Sequence, residues 1–119
     1  MTKKPTETFE AFDVVSVPFP FTDSGQQKRR PALVLSGADA FNDRIGHSVM
    51  AMITSAKNAP WPLDVNLANL EQAGLAAPSV VRMKLFTLDH RFVVAKIGVL
   101  SVSDQKAVRQ TLGSLLKGL

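Results

Sequence analysis

Three consecutive cations, Lys28-Arg29-Arg30, stand directly before Pro31. A guanidinium presents a planar fork of donors that matches a phosphate, and it stays protonated at every relevant pH. The segment can therefore bind a phosphate or neutralise charge on a phosphoryl group. A solvated loop would have the same composition. Thr54-Ser55 is the second feature. Adjacent hydroxyls at a strand end can orient a phosphate or donate to a developing oxyanion. They serve equally well to close a turn through side-chain to backbone bonds. Phe21 and Trp61 sit in loop segments and offer flat faces on which unpaired bases stack. Phe19, also beside a loop, is better suited to sealing the end of a barrel.

Much other chemistry is excluded. The chain has no cysteine, so it has no thiolate nucleophile, no disulfide and no cysteine-ligated zinc. His47 and His90 are its two histidines, too few for a multi-histidine metal site. His90 lies between Asp89 and Arg91 in a polar turn, and both histidines read as surface or packing residues. There is no phosphate-binding glycine loop, no His-Glu-x-x-His and no Gly-x-Ser-x-Gly. No metal and no cofactor is expected.

The elements that must position these groups are short. Strand signals cover 12–19, 31–36, 47–54, 63–67, 79–86 and 92–100, with Pro31 tolerated as the first residue of its strand. Residues 38–42 and 69–73 suit single turns, the second stopped by Gly74. Ser103 is placed as a helix N-cap, and Asp104 suits the positive end of the helix dipole. Val108, Leu112, Leu115, Leu116 and Leu119 then fall on one helical face. Six short strands and one closing helix predict a mainly β fold, a small barrel with a packed C-terminal helix. The edges of such a barrel favour dimerisation.

The 119 residues fit one domain, read as a flexible lead-in over 1–10 and a single domain over 11–119. The net charge is +4, which permits a phosphate-bearing or acidic partner without demanding one. The polar start is no signal peptide, and no apolar run is long enough to span a membrane. With the absence of cysteine, this predicts a soluble, cytoplasmic protein without a membrane partner.

Taken together, the segments resemble the PemK/MazF family of toxins from type II toxin–antitoxin systems. The resemblance runs from about Phe12 to Leu116. It rests on 12–23 as the first strand and loop, and above all on Arg29-Arg30-Pro31-Ala32-Leu33-Val34-Leu35-Ser36. Met52-Ile53-Thr54-Ser55, Ala73-Gly74-Leu75, 78–82, Thr87-Leu88-Asp89 and 97–101 follow in the family's order.

The resemblance implies an SH3-like barrel that forms a homodimer. It implies metal-independent cleavage of single-stranded RNA such as mRNA, leaving a 2′,3′-cyclic phosphate and a 5′-hydroxyl. It assigns catalysis to Arg30 and Thr54, with Lys28, Arg29, Ser55, Arg82, Phe21 and Trp61 as RNA-binding candidates. The implied partner is an antitoxin whose disordered acidic segment covers the RNA groove. Some members carry a glutamate in the loop before the arginine. Here Ser24-Gly25-Gln26-Gln27-Lys28 has none, so the general base stays unassigned. Some members have glutamine where Arg82 stands. Two other readings compete: a non-catalytic gyrase inhibitor like the related CcdB toxins, and a nucleic-acid-binding barrel that has lost activity. The CcdB toxins rely on a tryptophan near the carboxyl terminus, where this chain ends Leu116-Lys117-Gly118-Leu119.

Overall fold

The computed structural model describes residues 8–19 and 28–118. Strands β1 (Asp13–Phe19), β2 (Lys28–Val34), β3 (His47–Ser55), β4 (Val65–Asn66), β5 (Ser79–Asp89) and β6 (Ala95–Val99) form one antiparallel sheet. Their order is β4-β5-β3-β2-β1-β6. A π-turn over Ala38–Asn42 runs into a single α-turn, α1 (Asp43–Ile45), and helix α2 (Val102–Leu115) closes the chain. The expected class holds: mainly β, with a curled sheet of the barrel type and short helices.

Alternation along the strands decides which side chains meet. Val14, Leu33, Ala51, Ile53 and Val81 share one face, where Val108 of α2 packs on them. Val15, Val17, Ala32, Val34 and Met50 share the other, with Phe9. Both faces of the central strands are therefore buried. Each fully buried valine or leucine contributes about 1.5–3 kcal/mol.

The curl brings the two ends of the sheet order together. The segment after β4 crosses to β6, where the Val99 N–H donates to Gln72 O at 3.1 Å. The approach is close enough that only glycine fits. A Cβ on Gly74, which sits at φ +75, would overlap the Ile97 carbonyl, and one on Gly98 would overlap that of Ala73.

Several boundaries differ from the sequence expectation. Phe9 and Glu10, assigned to the lead-in, belong to the fold. Phe9 is buried, its carbonyl accepts from Asn42 Nδ2 at 2.8 Å, and Glu10 Oε1 accepts from Ala38 N at 2.8 Å. Strand β2 begins at Lys28 rather than Pro31, because β1 continues to pair with it through Pro18↔Arg29 and Phe19↔Lys28. Pro31 is tolerated where β2 has one partner, since pairing with β3 is recorded only from Ala32. Strand β4 is two residues long, and 90–92 form a 3₁₀ turn before β6.

The N-cap of α2 is Ser101, not Ser103: its Oγ accepts from Asp104 N at 3.2 Å. The reason is long-range. Starting there turns the Asp104 carboxylate onto the backbone N–H groups of Ala68 and Asn69, at 3.0–3.2 Å. Helix α2 stops at Leu115; Leu115 and Leu116 are exposed rather than packed, and Leu119 lies outside the described residues.

Candidate RNA-cleavage site

The extension of β2 changes the geometry of the basic cluster. Inside a strand, Lys28 and Arg30 point to one face and Arg29 to the other. Arg30 takes the face of Ala32 and Val34, away from α2. The β2–β3 register runs Val34↔Met50, Leu33↔Ala51, Ala32↔Met52. Continued by two residues, it sets Arg30 across from Thr54. β2–β3 pairing itself ends at Ala32↔Met52, so the two residues singled out for catalysis lie two residues beyond it, on the same face of neighbouring strands by alternation. Lys28 and Arg29 are exposed, whereas Arg30 is half-buried. Its Nε is buried and has no hydrogen-bond partner among the described residues.

Thr54 Oγ1 accepts from Asn58 Nδ2 at 2.6 Å, which fixes the rotamer and leaves its own O–H to donate. Ser55 is exposed, and its Oγ accepts from Lys57 N at 3.2 Å, closing the turn after β3. Of the two adjacent hydroxyls, one faces the site and the other caps a loop. Phe21 lies outside the described residues. Only the backbone of Phe19, paired with Lys28, is described.

Beyond Thr54 a shallow recess of about 80 Å³ is lined by Met52, Thr54, Trp61, Arg82 and Lys84. Met52 pairs with Arg82 across β3–β5, which places that arginine beside the site. The Arg82 guanidinium is engaged by Asp64: Nε donates to Oδ1 at 3.2 Å and Nη2 to Oδ2 at 3.0 Å. Arg82 also lies 5.2 Å from the Trp61 ring centroid. Its hydrogen bonds hold the Asp64 carboxyl below its ordinary pKa, against the opposing effect of burial. Asp64, Asn58, Met52 and Lys84 are site residues the sequence did not indicate. The one available signal was the acid close after Pro60-Trp61-Pro62, without a visible partner.

His90 lies elsewhere, as a packing residue. It is buried, with Nε2 2.7 Å from Ser48 Oγ and its ring edge-on to Phe9 at 4.8 Å. His47 is 3.9 Å from Asp89, on the same end of the molecule.

Comparison with known proteins places this arrangement. A family model described as the PemK-like, MazF-like toxin of type II toxin–antitoxin systems matches residues 10–116. Among curated proteins no match was found. Among solved structures, MazE–MazF from Deinococcus radiodurans (Form II) is 32% identical, with a TM-score of 0.69, over 93% of this chain and 97% of that one. The Mycobacterium tuberculosis toxin MazF-mt6 is 21% identical, with a TM-score of 0.68, over 86% and 93%. An endoribonuclease in complex with its cognate antitoxin, from a mycobacterial species, is 16% identical, with a TM-score of 0.67, over 90% and 91%. The last two speak to the fold alone. The family match and the Deinococcus relative together with the curled sheet establish that this chain belongs to the PemK-like, MazF-like toxins of type II toxin–antitoxin systems.

Proposed function

We propose that this toxin is an endoribonuclease that cleaves single-stranded RNA through the RNA's own 2′-hydroxyl. The observation that supports the reading is the β2–β3 register, which ends at Ala32↔Met52 and leaves the half-buried Arg30 and Thr54 on the same face of neighbouring strands two residues further along. In the reaction the 2′-hydroxyl gives up its proton and its oxygen forms a bond to phosphorus, while the bond from phosphorus to the 5′-oxygen breaks and that oxygen takes up a proton. The products are a 2′,3′-cyclic phosphate and a 5′-hydroxyl. The protein then needs no nucleophile of its own, consistent with a site built from Arg30 and Thr54.

Arg30 neutralises charge gathering on the phosphoryl oxygens through its guanidinium. The Thr54 O–H holds a second oxygen, which aligns the phosphate for in-line attack. Lys28, on the same face, adds phosphate affinity; Arg29, Ser55, Arg82, Phe21 and Trp61 are assigned to the RNA path around it. The partners are a homodimer mate and an antitoxin with an acidic disordered segment. The Deinococcus relative is itself a MazE–MazF complex. Exposed Ile45, Phe92 and Val94 suit a protein interface.

The test is cleavage of a single-stranded RNA and of the same RNA carrying 2′-deoxyribose throughout. The first is cut and the second survives. Cleavage of both would overturn the 2′-hydroxyl route, and survival of both across varied sequences would overturn the activity.

A further inference from the structure

Trp61 is the single tryptophan of the chain, and 43% of it is exposed beside the recess that Thr54, Met52, Arg82 and Lys84 also line. The proposed reaction uses Thr54 and puts Arg82 and Trp61 on the RNA path, without saying what part of the RNA the recess holds. Its polar lining has one character. Guanidinium, ammonium and indole N–H only donate, and the Thr54 hydroxyl already accepts from Asn58. The neighbouring carboxylate is spent. Asp64 takes two hydrogen bonds from Arg82, and its Oδ2 also accepts from Trp61 N at 2.9 Å. Arg82 Nη2 reaches Ala59 O at 2.8 Å in the same loop.

Asp64 and Arg82 therefore clamp the loop at Ala59, Trp61 and Asp64, with the cation 5.2 Å from the indole centroid and Lys84 Nζ 5.8 Å from it. Leu63, in the same turn, is held at φ 68, a region that side-chain-bearing residues rarely adopt. A turn kept in that conformation by a charged clamp is a pre-set surface.

We propose that this recess binds one unpaired nucleobase whose exocyclic group at pyrimidine C4 or purine C6 is a carbonyl oxygen, uracil or guanine, beside the phosphate that Thr54 faces, with Asp64 as the positioning residue that sets the indole as its stacking wall. The proposal rests on the RNA reading and deepens it. Uracil O4 and guanine O6 are acceptors that suit a donor-lined site, whereas cytosine and adenine carry amino donors at the same positions. The indole favours a planar base over a bare phosphate, because it gives a phosphate little to meet beyond one N–H and gives a base a full face.

The experiment titrates the protein with 2′-O-methyl tetranucleotides, which lack a free 2′-hydroxyl and are not cleaved. Trp61 emission is the readout. Oligomers carrying uracil or guanine are expected to quench it and to bind at least about 10-fold more tightly than adenine or cytosine oligomers, the scale of one good base-edge contact. Asp64→Asn narrows that ratio to within about 3-fold. Trp61→Leu, at an exposed position, removes the ratio when binding is followed by polarisation of a labelled oligomer. Equal binding of all four bases overturns the proposal. So does displacement of the uracil oligomer by inorganic phosphate or an abasic oligomer of equal affinity, which would mark a phosphate site. A base ratio unchanged in folded Asp64→Asn overturns the positioning role. RNA cleavage without any base-dependent quenching sinks the recess and spares the activity; quenching without cleavage does the reverse.

Discussion

The Nε of Arg30 is buried and has no hydrogen-bond partner among the described residues. Leaving such a donor unpaired costs roughly 1–3 kcal/mol in the free protein. A bound phosphoryl oxygen would relieve that cost, and most fully where negative charge peaks. Arg30→Ala is therefore expected to lower kcat by about 10²–10³ while leaving the melting temperature unchanged or slightly raised. A large fall in melting temperature would instead make Arg30 a structural residue.

His90 follows the opposite logic. Burial, and then the neighbouring charge of His47, hold its pKa below 6.5, although Asp89 and Asp43 pull upward. The unfolded chain takes up a proton near its ordinary pKa that the folded chain refuses. Stability is thus flat above that range and falls as pH drops below it. Melting curves at pH 7.5 and 5.0 are expected to show this fall, with a shallower slope in His90→Gln. A rise toward acid would contradict it. Asp89 does not confuse the reading. Hydrogen bonds from Arg91 lower its pKa to about 2, so its own contribution is present above the ordinary carboxylate pKa and lost only toward pH 2.

Among the elements, β2 is the instructive one. Pro31 reads as a strand start because a proline there removes no needed N–H, yet the strand begins at Lys28. What overrides the local signal is β1, six of whose seven residues find antiparallel partners in β2, as far as Lys28. The consequence is functional, since alternation separates Arg29 from Lys28 and Arg30. Cluster and composition were legible in the sequence, but the side on which each cation emerges was not. The same holds for the cap of α2, where the contact of Asp104 with Ala68 and Asn69 accompanies a start at Ser101 instead of the expected Ser103.

The closure between the segment after β4 and β6 is expected to be the least forgiving place in the fold. Gly74→Ala adds a left-handed backbone penalty and an overlap with the Ile97 carbonyl, together about 2–5 kcal/mol. Urea unfolding checks this, and a loss below roughly 1 kcal/mol would show that the closure gives way easily.

At the scale of the whole molecule, the fold class, the strand count and the family were readable because they rest on local alternation and ordered short motifs. Arg30 and Thr54 are proposed for catalysis for the same reason, each lying in one such motif. The Asp64–Arg82 clamp was not, because its partners are 18 residues apart and meet only through the β4–β5 pairing at Val65↔Val81. No periodicity encodes that meeting. The net charge of +4 is modest, and the structure distributes it: Arg82 is matched by Asp64, Arg91 by Asp89 and Lys96 by Asp13.

The central claim is that this charge serves a reaction in which RNA attacks itself. End-group analysis of RNA incubated with the protein in excess EDTA tests it most directly. The expected fragments end in a 2′,3′-cyclic phosphate and begin with a 5′-hydroxyl, and they are absent with Arg30→Ala or Thr54→Val. Intact RNA, or fragments beginning with a 5′-phosphate, would contradict the account.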